Sequence, residues 1–164
     1  MDKTTILAQY DYNYWANGKV WECVMQLTDE QFDYPLEYSI GSIRTQCVHT
    51  MGVESWWFHY LKTGEVVFLN RDDYTTRQQI RARWEIVEAD ARAYLDAATP
   101  ANLRRTVKPP HWDPDEVPVA VWEALFQVAN HSTDHRAQIL AGLHKLGAPT
   151  VAQDFLDYID ETRG

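Results

Sequence analysis

The chain has 164 residues, with 24 acidic against 15 basic side chains and a formal net charge of -9. That length predicts one domain over residues 1–164 with a real core. The acidic balance excludes nucleic acid, whose phosphates need a basic face. No apolar run approaches a membrane span, so no membrane partner is expected. The two cysteines, Cys23 and Cys47, fall in helix-like segments without a close-spaced pair. They read as free thiols of a reducing, cytoplasmic compartment. Met1-Asp-Lys-Thr-Thr5 has none of the basic-then-apolar character of a leader. Seven Trp and nine Tyr make a heavy aromatic load, which small helical cores and binding clefts both use.

Asp2 to about Leu27 predicts a first helix, with Ile6, Tyr10, Tyr14, Trp21 and Val24 on one side at helical spacing. Asn13 and Asn17 fall on or beside that side. A buried amide must be hydrogen-bonded, so the two tie helices together or face a wet pocket. Ser42 is an N-cap for a second helix that runs to about Lys62, before Gly64. Ile43, Cys47, Met51, Phe58 and Leu61 make its stripe. His49 lies at the edge of that arc, while His59 points to the polar side and toward solvent. Glu54 sits in the middle of the stripe, where a carboxylate needs a partner. Arg136 is one candidate, and a bond to a metal-bound histidine is another.

Glu65 to Asn70 reads as a short apolar connection packed on the bundle. Asp72, Asp73, Thr75 and Thr76 cap a third helix, in which Ile80, Trp84, Val87, Ala91 and Tyr94 form a seam. Thr99-Pro100 stops it. Leu103 to Val107 and Val117 predict a small hairpin around the proline-broken loop that holds His111, a histidine expected to be exposed.

Val119 to Lys145 predicts a long fourth helix, opened by Pro118 and closed by Gly147-Ala-Pro149. His131 and His135 lie about 40° apart around its axis and roughly 6 Å apart along it. They fall on the seam between the apolar and polar arcs, beside Gln127, Gln138 and Gly142, where there is room for a metal ion. His144 lies about 140° around the axis from His131 and is excluded. By elimination, His49 is the third ligand. Val151 to Thr162 closes the chain as a short fifth helix with Phe155, Leu156 and Ile159 inward. The class is therefore all-α: an antiparallel or mixed four-helix bundle, a fifth C-terminal helix, and a small hairpin between helices three and four.

The stretch Leu125-Phe-Gln-Val-Ala-Asn-His-Ser-Thr-Asp-His-Arg-Ala-Gln-Ile139 resembles the signature helix of the DinB family of metalloenzymes. His49-Thr-Met-Gly-Val-Glu-Ser-Trp-Trp57, Tyr12-Asn-Tyr-Trp-Ala-Asn17 and Asp154-Phe-Leu-Asp-Tyr158 fit the same family in the same order. The family often has an aromatic or small residue where Asp134 stands. The resemblance implies one divalent metal on His49, His131 and His135, and frequent homodimers. Related branches include metal-dependent transferases of low-molecular-weight thiols and a thiol-dependent isomerase. Three histidines with an open position suit a catalytic zinc, nickel or iron. The expected activity is thus a hydrolase or a thiol transferase acting on a small molecule. Glu54 is its acid–base or supporting group, and Trp15, Trp56 or Trp57 line the pocket. The alternative is a non-catalytic metal-containing bundle that binds a small ligand or a protein partner.

Overall fold

A computed structural model of the chain describes residues 2–164. The elements in order are α1 (Lys3–Val24), α2 (Asp29–Asp33), α3 (Ile43–Thr63), a 3-10 turn (Arg71–Asp73), α4 (Arg77–Ala97) and α5 (Pro100–Arg104). Then come β1 (Thr106–Val107), β2 (Val119–Ala120), α6 (Val121–Lys145) and α7 (Phe155–Arg163). The four long helices form the bundle, and α6 packs on both α1 and α3. No helix among the described residues is long and apolar enough to cross a membrane.

Each long helix starts where its own side chains satisfy free backbone N–H groups. The Asp2 carboxylate accepts from the Thr5 amide at 2.8 Å, and the Ser42 hydroxyl accepts from the Thr45 amide. Thr76 and Gln79 cap each other reciprocally at the head of α4. Gly64 ends α3 at a φ of 82°, a left-handed conformation that costs glycine little.

Two core clusters reveal the helix directions. One joins Ile6 and Tyr10 of α1, Phe58 and Leu61 of α3, Leu95 of α4, and Val121 and Leu125 of α6. The other joins Val24, Ile43, Met51, Ile80, Ile139 and Leu143. The start of α1 therefore shares an end with the start of α6 and with the finish of α3 and α4. So α1 and α6 run one way, α3 and α4 the other. The successive helices α3 and α4 are parallel, and residues 64–76 must travel back along the bundle to join them. Burying each large apolar side chain contributes about 1.5–3 kcal/mol, which holds this connectivity together.

Arg136 is 1% exposed, and among the described residues no carboxylate lies within ion-pair distance of it. Neutral oxygens hold it instead. Its guanidinium donates to Asn13 Oδ1 at 2.5 Å, Asn17 Oδ1 at 2.9 Å, Gln153 Oε1 at 2.7 Å and Thr133 Oγ1 at 2.9 Å. Asn13 and Asn17 thus take the helix-tying role, binding α1 to α6. Glu54 is not Arg136's hydrogen-bonded partner.

Three expectations need correction. The hairpin pairs Val107 with Val119 and Thr106 with Ala120. Val117 stays outside it at 76% exposure, because Leu103 belongs to α5 and moves the register along. Phe155 and Leu156 are exposed, not inward. The terminal helix docks through Tyr12 against Phe155 and Tyr158, and through Glu161 on Lys19 and Trp15. His59 is only half-exposed, and its Nε2 is buried without a partner, because the apolar connection folds back near it.

Replacing Arg136 by Ala leaves the buried Asn13 Oδ1 without its donor and Asn17 Oδ1 with the Ser132 hydroxyl alone. Urea unfolding should show a loss of roughly 2–4 kcal/mol, and Arg136→Met a smaller one. Unchanged midpoints for Arg136→Ala would contradict this account of the α1–α6 tie.

Candidate metal centre

His49 stands on α3 in the same turn as Met51 and Cys47, whose burial against α6 fixes how that turn faces. His131 and His135 stand one turn apart on α6. About two turns farther along, the absence of a side chain at Gly142 lets the helices meet closely: a Cβ there would lie 2.7 Å from both Ile43 Cδ1 and Leu36 Cδ1.

The three imidazoles converge. One ring nitrogen from each can be chosen so that all lie within 4.8 Å of one another. Ring centroids are 4.9 Å apart for His49 and His131, 4.6 Å for His49 and His135, and 4.3 Å for His131 and His135. The Nε2 atoms of His49 and His131 are 3.0 Å apart. Two nitrogens bound to one ion at 2.0–2.1 Å, at angles between square and tetrahedral, are about 2.9–3.4 Å apart. The spacing of these donors therefore fits one cation.

His135 is buried, whereas His49 and His131 are half-buried and open to one side. The His135 Nδ1–H donates to Gln46 Oε1 at 2.6 Å, which leaves Nε2 with its lone pair free. Gln46 Nε2 donates to Gln138 Oε1 at 3.1 Å, and Gln138 Nε2 donates to Asp134 Oδ2 at 2.9 Å. Ser39, at a left-handed φ of 62°, donates its hydroxyl to the same Gln138 oxygen. This relay orients the ring by a chain of amides that ends on a carboxylate. The sequence reading missed Gln46. Its signal was the position one helical turn before His49, opposite Gln138 on the seam.

Burial, with the neighbouring His135 and Arg71 charges, lowers the His49 pKa to about 4. His131 is lowered to about 4 by burial and by His135 and His49, against the pull of Asp134. Burial also lowers His135. All three are neutral at pH 7, the form a metal needs.

Glu54 is 2% exposed. Tyr14 donates its hydroxyl to Oε1 at 2.6 Å, and the Trp84 indole N–H donates to Oε2 at 3.1 Å. Burial raises its pKa against those two hydrogen bonds. None of its hydrogen bonds reaches an imidazole. His144 is exposed and outside the cluster, and His111 is exposed as expected. Cys47 is no nucleophile, since burial pushes its thiol up to about 12. Of the tryptophans, Trp56 lines a cleft beside His49, Trp57 stacks behind it at 4.3 Å, and Trp15 belongs to the α7 contact.

The DinB family profile matches residues 1–164. The chain belongs to the DinB family. No curated protein matches it. Two solved structures share the fold of this DinB chain. A DinB-like protein from Bacillus cereus ATCC 10987 is 15% identical with a TM-score of 0.69, over 90% of this chain and 95% of that one. YfiT from Bacillus subtilis is 19% identical with a TM-score of 0.70, over 90% of both chains. YfiT is described as a probable metal-dependent hydrolase with an unusual four-helix bundle topology. The parallel α3 and α4 of this DinB chain are likewise uncommon among bundles with short loops.

Two outcomes test this geometry. Gln46→Ala should weaken metal binding about 10–100-fold with helicity intact, read by competition with a chromophoric chelator. Unaltered affinity would remove the relay's role. For the metal-free protein, an unfolded imidazole takes its proton near 6.5, a folded one only near 4. Between those values the unfolded chain binds more protons. The stability is fully present above 6.5 and declines as pH falls toward 4. Urea midpoints at pH 7 and pH 5 in the presence of chelator should differ less for a His49→Gln/His131→Gln variant than for the parent.

Proposed function

We propose that this chain is a metal-dependent hydrolase of small molecules whose divalent ion is held by His49, His131 and His135. The convergence of three neutral imidazole nitrogens within 4.8 Å carries the reading. The description of YfiT, a fold neighbour, supports the reaction class. Three histidines beside an open cleft match catalytic sites that keep a position for water or substrate, not closed structural sites. Zinc, nickel and iron all suit the donor set. Such an ion supplies polarisation of a substrate carbonyl and a water that ionises near neutral pH.

The chain's own residues do the rest. His135, pinned through Nδ1 by Gln46, presents Nε2 without tautomeric ambiguity. His49 and His131 close the open side from two different helices. Glu54 is a positioning residue in this proposal: through Tyr14 and Trp84 it ties α1 and α4 to the turn after His49. Glu54→Gln should keep the metal, and Glu54→Ala should cost stability by orphaning two buried donors.

Elemental analysis of protein purified without a histidine tag is the direct test. His49→Ala, His131→Ala and His135→Ala should each lose most of the ion, and His144→Ala should retain it. Chelation should abolish hydrolysis of an ester and amide panel while circular dichroism stays helical. Unfolding on chelation would assign the ion to structure, and thiol transfer without hydrolysis would replace the reaction class. Equal metal loss in all four variants would sink the ligand assignment.

A further inference from the structure

The crossover that joins the parallel helices α3 and α4 brings Phe68, Leu69 and Arg71 over α3 beside His49. Together they enclose a cleft of about 240 Å³, with Gly52, Val53 and Trp56 as its other principal walls. It is smaller than the 300–1,000 Å³ of typical drug-sized pockets. One side is aromatic: Trp56 and Phe68 meet edge-on at 5.9 Å, and His111 meets Trp56 at 5.3 Å and Phe68 at 5.4 Å. The floor is open, since a Cβ at Gly52 would meet nothing within 4 Å.

Arg71 is the one formal charge in that lining. In this chain of net charge -9, Arg44, Arg77, Arg81 and Arg92 each sit on a carboxylate, whereas among the described residues Arg83, Arg104, Arg105, Arg136 and Arg163 make no such pair and do not line this cleft. Among the described residues no carboxylate lies within ion-pair distance of Arg71. Its exposed guanidinium offers a planar fork of donors that matches a carboxylate two bonds at a time. Arg71 and His49 line the same cleft, with Trp56, Phe68 and Leu69 as its apolar wall.

We propose that this cleft selects small carboxylic acids, with the carboxylate on Arg71, an apolar body against Trp56 and Phe68, and the bond to be cleaved at the His49 side of the histidine cluster. The inference rests on the proposed hydrolase reading and names its substrate class: acids about the size of an acylated amino acid. A neutral analogue of the same shape fills the apolar wall but leaves the Arg71 fork in water.

The test uses 3-phenylpropanoate and its neutral amide as probes, titrated calorimetrically into the protein as purified and after chelation. The parent should bind the acid about tenfold more tightly than the amide, in line with the added strength of a charge-assisted pair. Arg71→Gln should make the two equal, and Arg71→Lys should keep part of the preference. Gly52→Leu, which suits a helix and fills the floor, should weaken both. The chelated parent should keep the preference, separating Arg71 from any carboxylate–metal contact. Equal binding of acid and amide by the parent, no binding of either at millimolar concentration, or a preference surviving in Arg71→Gln would each overturn the proposal. Protein that holds no metal as purified, yet shows the Arg71-dependent preference, would overturn the hydrolase reading alone.

Discussion

The close approach of α3 to α6 is the constraint on which the centre depends. Neither helix carries enough imidazoles by itself: α6 has two in place, and α3 has one. About two turns along α6 from His135, Gly142 lets Ile43 and Leu36 lie where a side chain would otherwise stand, which closes one end of the same contact. The same contact brings Gln46 to His135 and Gln46 to Gln138. Packing and ligand orientation are therefore one event.

Polar groups buried beside that contact anchor α6 and α3 from the other sides. Arg136 follows His135 directly in the chain and is held by Asn13, Asn17, Ser132 and Gln153. Removing a charge from water is expensive unless all its donors are used. Here four neutral oxygens and a fifth from Thr133 take up that demand. Glu54 does the same for α3 with Tyr14 and Trp84. These groups specify orientation: a slipped or rotated helix would leave a full charge without partners.

Helix direction decides what lies over the histidines. Parallel α3 and α4 require a connection along the length of the bundle, and that connection supplies Phe68, Leu69 and Arg71 to the cleft. In an up-down bundle a short loop would join the two helices at one end, and this flank of His49 would be bare. The cleft is a consequence of topology, built from a segment that carries no regular structure except its 3-10 turn.

The sequence by itself determined the four long helices, the C-terminal helix and the ligand candidates, but not α5, whose Leu103 read as strand. Hydrophobic spacing and caps such as Ser42, Thr76 and Gly64 are local, so they act before any tertiary contact forms. The spacing of His131 and His135 is local too, and helix phase alone set His144 aside. Partners between elements were not legible. Glu54 met Tyr14 and Trp84 and not Arg136, Val107 met Val119, and Phe155 stayed in water. Each depends on distances between residues far apart in the chain, which no periodicity encodes. Only the tertiary structure decided that α3 runs parallel to α4, that Gln46 holds His135, and that Arg71 stands over His49. The first is set by which ends of four amphipathic helices bury together; the place of Arg71 follows from it, and the Gln46–His135 bond follows from the α3–α6 contact.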